Sequence, residues 1–231
     1  MDRRRYQQVQ MKSLAIIHTT PLTIEVLKAI AREVMPEINL INILDDSILP
    51  QLAKSNGDLG IVEQRWINYV LGACDAGASA VMSACSSVGE LVYKARPLVP
   101  VPVLRIDDPM AAEAVQRGQN IGVAATLPTT LGPTLRLVER KADQAGKAIH
   151  TETWLASEAY QRLMTGDPAG HDRILAAGLE QLGSKVDVVV LAQASMARVL
   201  PSLEPEIQGK FLTSPRSGML QAQQVLHGLG D

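Results

Sequence analysis

Cys85 is the residue of this 231-residue chain best placed to do chemistry. It closes a run of small and apolar residues, Ala80-Val81-Met82-Ser83-Ala84, and is followed at once by Ser86-Ser87-Val88-Gly89-Glu90. The run fits a buried strand over 80–84, and the continuation fits a Ser-capped helix from about Val88 to Ala95. A thiol between a strand end and a helix N-terminus sits beside unpaired backbone N–H groups and partial positive charge. That field favours the thiolate, the nucleophilic and basic form. The same N–H groups can hold a carboxylate. The residue types equally allow a packing role, because free cysteine is among the most buried side chains.

The elements that would position this thiol follow from periodicity. Leu14–Ile17 reads as a short strand ending in His18-Thr19-Thr20-Pro21, with Thr20 as cap and Pro21 opening a helix over 22–34. Ile38–Leu44 reads as a second strand running into an acidic loop, Asp45-Asp46-Ser47, and 61–76 as a further helix. Pro-rich 97–103 follows the helix after Cys85, and Asp107-Asp108-Pro109 reads as a cap and helix start. The second half repeats the plan. Ile121–Ala125 is a strand ending in Thr126-Leu127-Pro128-Thr129-Thr130, and a long helix then runs to about Ala145. A strand at 147–151, helices at 156–164 and 170–182, and a buried strand at 186–192 ending in Gln193-Ala194-Ser195 come next. Phe211–Thr213 is a last short strand and 216–228 a closing helix. Alternating strands and helices argue for a parallel sheet. The interval between strands 14–17 and 121–124 nearly equals that between Cys85 and Ala194, which argues for a duplicated unit.

Ligands of parallel sheets bind beyond the carboxyl ends of the strands. Here those ends carry hydroxyls: Thr19 and Thr20, Ser86 and Ser87, Thr126 with Thr129 and Thr130, and Ser195. Two halves facing each other would gather them, with Gln193, into a cage for a small carboxylate. Taken singly, each is also an ordinary helix cap. His18 and Asp45 are further candidates, His18 as a partner of thiol or substrate and Asp45 as a group orienting a polar substrate. Cys74 lies inside the 61–76 helical pattern and reads as packing.

Composition excludes several classes. A net charge of -2 with scattered basic residues, and 3% aromatics, give no footprint for nucleic acid. The four histidines lack metal-ligand spacing, so no metal site is expected. No G-x-G-x-x-G or P-loop sequence is present. No apolar run reaches the length of a membrane span. Two cysteines suggest a reducing, cytoplasmic setting. Residues 1–12 read as a frayed extension, 13–110 with 214–231 as a first half-domain, and 111–213 as a second.

The arrangement resembles the aspartate/glutamate racemase superfamily, which includes hydantoin racemases, maleate isomerases and arylmalonate decarboxylases. The residues that carry the resemblance are Ala84-Cys85-Ser86, Ala125-Thr126 with Thr129, and Gln193-Ala194-Ser195, where the family usually has Gly-Cys-Thr. It spans about residues 13 to 228. The resemblance implies two similar three-layer α/β half-domains with parallel sheets and an active-site cleft between them. It implies a cofactor-independent enzyme with one cysteine from each half on opposite faces of the substrate.

The chain departs from that pattern at the second cysteine, whose place this reading gives to Ala194. Alanine carries no proton, and Ser195 is a poor base without an activating partner. The expectation is therefore an isomerase acting on a small carboxylic acid through the single thiol of Cys85. The alternatives are a cofactor-free decarboxylase and a non-catalytic carboxylate-binding protein. The arylmalonate decarboxylases also use one cysteine, but in the other half. The expected partners are the carboxylic acid and further copies of the chain, as a homodimer or higher homo-oligomer, with no nucleic acid and no membrane.

Overall fold

The computed structural model describes residues 11–229, so residues 1–10 of the expected extension lie outside it. In the first half, β1 (Ser13–His18) leads through α1 (Leu22–Val34) to β2 (Asn39–Leu44). The helices α2 (Ile48–Lys54) and α3 (Gly60–Asp75) precede β3 (Ala80–Ser83). Next come α4 (Leu91–Ala95) and β4 (Val103–Arg105), and α5 (Asp108–Arg117) then passes to the second half. The second half runs β5 (Asn120–Ala125), α6 (Pro128–Gln144), β6 (His150–Leu155), α7 (Ser157–Met164), α8 (Pro168–Gly183) and β7 (Val188–Leu191). It ends with α9 (Pro205–Gln208) and β8 (Phe211–Leu212), and α10 (Ser214–Gly228) returns to pack against the first half.

Two four-stranded parallel sheets result, ordered β2-β1-β3-β4 and β6-β5-β7-β8. The order is the same in both, so the duplication read from the sequence is a repeat of topology. Each sheet is covered on both faces. Leu14, Ile16, Ala80 and Met82 pack under α1 and α10, whereas Ala15, Ile17 and Val81 pack under α2, α3 and α4. In the second half, Ile121, Val123, Val188 and Val190 face α5 and α6, while Ala124, Val189 and Leu191 face α7 and α8. A strand buried on both faces has no polar side to show, so it reads as a continuous apolar run. α10 is drawn close to the β4–α5 connection: a Cβ on Gly218 would lie 2.5 Å from the Ile106 carbonyl oxygen.

Several local expectations are corrected. The helix expected over Val88–Ala95 is instead a 3-10 turn at Ser86–Val88 followed by the five-residue α4. The chain breaks at Gly89, against which the Arg105 guanidinium is lodged. Asp107 stands before α5 but makes no capping bond with its side chain, because its carboxylate is spent on Arg105. Likewise, α1 begins after Pro21 without a side-chain cap; the Thr20 hydroxyl accepts only a long, 3.4 Å bond from the Leu22 N–H. The strand expected at 147–151 lies at 150–155. As an edge strand it is largely exposed and polar, so no apolar run marks it. No helix among the described residues is long and apolar enough to cross a membrane.

Candidate active site at the joint of the two halves

Cys85 follows β3 by two residues in extended backbone, half-exposed, and starts the 3-10 turn Ser86–Val88. The Ser83 hydroxyl donates to the Cys85 carbonyl at 3.4 Å, and the Gly89 N–H closes the turn on the Ser86 carbonyl at 3.1 Å. So short a turn aligns few peptide dipoles, so the helix N-terminus expected beside the thiol is not formed.

The turn is held from behind by a buried ion pair. Arg105 and Asp107 are each 1% exposed and joined by two hydrogen bonds of 2.9 Å, a bidentate fork. Burial pushes the guanidinium down, and the Asp107 charge more than offsets it, keeping Arg105 charged. The Tyr93 ring lies under three guanidinium groups, with Arg140, Arg96 and Arg105 centred 4.1, 5.0 and 5.8 Å from its centroid.

From the turn, side chains cross to the other half. The Ser86 hydroxyl donates to the Ala192 carbonyl at 3.4 Å, and Ser87 shares a 3.0 Å hydrogen bond with the Thr130 hydroxyl. Arg136 of α6 pairs with Glu90 at 2.6 Å. That bond holds the Glu90 carboxyl below its ordinary range, against burial. Thus Ser86, Ser87 and Thr130, expected to face a ligand, also form part of the seam between the halves.

Register identifies what stands opposite Cys85 in the repeat. Ile17 pairs with Ser83 in the first sheet, and Ala124 with Leu191 in the second. The next N–H on each strand continues the match: Ala84 donates to Ile17 and Ala192 to Ala124, both at 2.9 Å. One residue on, Cys85 corresponds to Gln193. Both are extended, with φ/ψ of -142°/120° and -131°/133°, and both precede 3-10 segments, Ser86–Val88 and the longer Ala194–Ser202. The expectation that Ala194 is the counterpart of Cys85 is corrected by this register; Ala194 corresponds to Ser86. The Gln193 carboxamide oxygen accepts from the Thr126 N–H at 2.6 Å and the Thr126 hydroxyl at 3.1 Å.

The same register exposes a motif that the sequence reading missed. T-x-P-x-T occurs at Thr19–Thr23 and again at Thr126–Thr130, each at the carboxyl end of a middle strand. Its spacing aligns β1 with β5, whereas the step from β3 to β7 is one residue longer and is set by the strand register.

A family model for Asp/Glu/hydantoin racemase matches residues 16–222. The chain belongs to that family. Solved structures agree on the fold. Glutamate racemase RacE1 from Bacillus anthracis is 15% identical with a TM-score of 0.71, over 95% of this chain and 83% of that one. Allantoin racemase from Klebsiella pneumoniae is 17% identical with a TM-score of 0.61, over 95% and 89%. An arylmalonate decarboxylase is 11% identical with a TM-score of 0.58, over 95% and 94%. No curated protein matches the chain.

Within this racemase-family frame the remaining candidates separate. His18 is fully buried; its ring nitrogens bond Thr23 at 2.7 Å and Asn42 at 3.0 Å. Burial pushes its pKa down, so the ring is neutral at pH 7. It is a packed, satisfied histidine. Asp45 accepts from Ser47 at 3.0 Å and from the Tyr69 hydroxyl at 2.8 Å, and it pairs with Arg65 at 2.9 Å. Burial would raise its carboxyl, but these bonds and the Arg65 charge bring it below the usual range. Its acceptor capacity is therefore spent within its own half. Thr19 is buried at the end of β1, Thr20 and Thr129 are half-exposed, and Ser195 is exposed. Surface depressions beside α1 (Lys28, Arg32, Asn42) and around Pro100–Val103 involve neither Cys85 nor Gln193.

Proposed function

We propose that this chain is a cofactor-independent isomerase that acts on a small carboxylic acid through one thiol, Cys85. The observation that carries the reading is the pairing of Cys85 with Gln193 at equivalent strand ends, joined by the Ser86–Ala192 bond. One strand end brings a thiol. The other brings a carboxamide, which neither takes nor gives a proton near neutral pH.

The chemistry available to such a site is proton transfer at one face. The thiolate takes the proton from the carbon next to the carboxylate; the C–H bond breaks and an S–H bond forms. The electron pair moves onto the carboxylate oxygens as an enediolate, which N–H and hydroxyl donors stabilise. Isomerisation then requires the enediolate to turn, so that the same sulfur returns the proton to its other face; return to the first face gives exchange alone. Loss of carbon dioxide from a malonate-type acid leaves the same enediolate and needs only one proton. Decarboxylation is therefore the second reading that a single thiol supports.

Alkylation tests the proposal. Iodoacetamide near neutral pH should label Cys85 faster than Cys74, whose thiol is pushed up by burial and by the nearby Asp75 charge. A small diacid should protect Cys85. Cys85→Ser should lose about 100-fold or more in turnover of whichever acid is found to react. Equal labelling of the two cysteines would mean a carboxylate site without catalysis where the diacid still protects, and no such site where it does not.

A further inference from the structure

Gln193 has the geometry of a carboxylate-binding residue with a fixed orientation. Its carboxamide oxygen is engaged twice, by the backbone N–H and the hydroxyl of Thr126. Two donors on one atom settle which end of the amide is oxygen. The Nε2 group then keeps two N–H donors with no partner among the described residues, on a half-exposed side chain. Those donors sit one residue from the Ser86–Ala192 bond, whose other end is one residue from Cys85.

We propose that the Gln193 Nε2 group binds a carboxylate oxygen of the substrate on the side opposite Cys85, with Thr126 as the positioning residue that keeps the amide from flipping. This rests on the reading of Cys85 as the active thiol and goes further, to the substrate's binding mode and the stereochemistry. As negative charge gathers on the carboxylate in the enediolate, the N–H donors hold it more strongly than in the ground state. No proton can be delivered from the Gln193 side. Inversion therefore waits on the enediolate turning toward Cys85, and a substrate held by Gln193 exchanges its proton mainly with retention.

Malonate is a suitable probe, with its protection of Cys85 from iodoacetamide followed by mass mapping of the alkylated peptide. Gln193→Glu separates the donor from the scaffold. It keeps an oxygen for both Thr126 bonds and replaces the free NH2 with a second, negatively charged oxygen. Malonate should protect the wild type, and Gln193→Glu should need about 10- to 100-fold more malonate, as expected for losing a hydrogen bond to a charged group. Gln193→Leu should be weakened as well, with Thr126→Val intermediate. Full protection of Gln193→Glu at wild-type malonate concentrations overturns the role of Gln193 while leaving Cys85 as the active thiol. Absence of protection in the wild type overturns the carboxylate site itself and this role with it.

Discussion

The Arg105 guanidinium lies so close to Gly89 that a Cβ on the glycine would fall 2.5 Å from its central carbon. Real Cβ atoms do not approach other atoms that closely, so one side must move. Arg105 is 1% exposed and tied to Asp107, and it cannot swing away cheaply. Gly89→Ala should therefore cost about 1–3 kcal/mol, as overpacking does. In a chain of this size that lowers the melting temperature by roughly 2–4 °C per kcal/mol. Urea unfolding of the variant measures it, and an unchanged midpoint would show that the guanidinium is loosely held.

The ion pair itself makes an asymmetric prediction. Asp107→Leu leaves the Arg105 charge buried and unpaired, and should destabilise the fold by about 3–5 kcal/mol. Replacing both partners, Arg105→Met with Asp107→Leu, should recover most of that, because the desolvation cost disappears with the charge. A double-mutant cycle by chemical denaturation checks the sign. If the pair also holds the Cys85 turn in shape, alkylation of Cys85 should change in the double variant even where stability returns.

His18 makes stability depend on pH in a direction that can be worked out. Burial is the main cause of its lowered pKa, with a nearby Lys28 charge in the same sense and the Asn42 bond opposing. In the unfolded chain the ring takes up a proton as pH falls through about 6.5. In the folded protein it does so only at lower pH. The unfolded state therefore binds more protons in that window, and stability falls as pH falls through it. The contribution is complete above about 6.5. The local slope reaches at most about 1.4 kcal/mol per pH unit. Unfolding free energies from pH 5 to 8 should show this slope in the wild type and a flatter profile in His18→Gln.

The elements that carry the site were readable because their covering is complete. β1, β3, β5 and β7 are buried on both faces, and α1, α3 and α6 show an apolar stripe. Edge strand β6 was shifted in the reading because His150–Leu155 is polar and exposed. β4 was missed altogether, a three-residue strand hidden among prolines. The sequence places the counterpart of Cys85 at Ala194, one residue too far, because the resemblance sets Gly-Cys-Thr on Gln193-Ala194-Ser195, beyond the end of β7, where no strand pairing fixes the alignment. Paired strands cannot slip by one without turning every side chain to the wrong face. Register along β3 and β7 is therefore the sounder ruler, and it selects Gln193. The hydroxyls were placed correctly at strand ends, but nothing in their spacing showed that Ser87 and Thr130 bond each other across the seam.

That correction decides where a second thiol belongs. Gln193→Cys places sulfur at the position equivalent to Cys85, in the same extended backbone and just ahead of a 3-10 segment. Ala194→Cys places it one residue further on, inside the turn, at the equivalent of Ser86. Family chemistry with two thiols returns the proton from the second face, so only the first substitution should speed inversion. The wild type and both variants can be incubated with each enantiomer of glutamate and aspartate, and with allantoin, in deuterated water. Chirality and deuterium content are then read together. The wild type should exchange mainly with retention, inverting only as slowly as the enediolate turns, or not react at all. Gln193→Cys should gain inversion with deuterium incorporation, by about 10²–10⁴-fold over the wild type where the substrate fits, the usual worth of a positioned acid or base. Ala194→Cys should stay at the wild-type level. Inversion in Ala194→Cys but not in Gln193→Cys would show that the turn, rather than the strand register, sets the second face. Ready inversion by the wild type would mean that another group already delivers the second proton, and the one-thiol mechanism would fall.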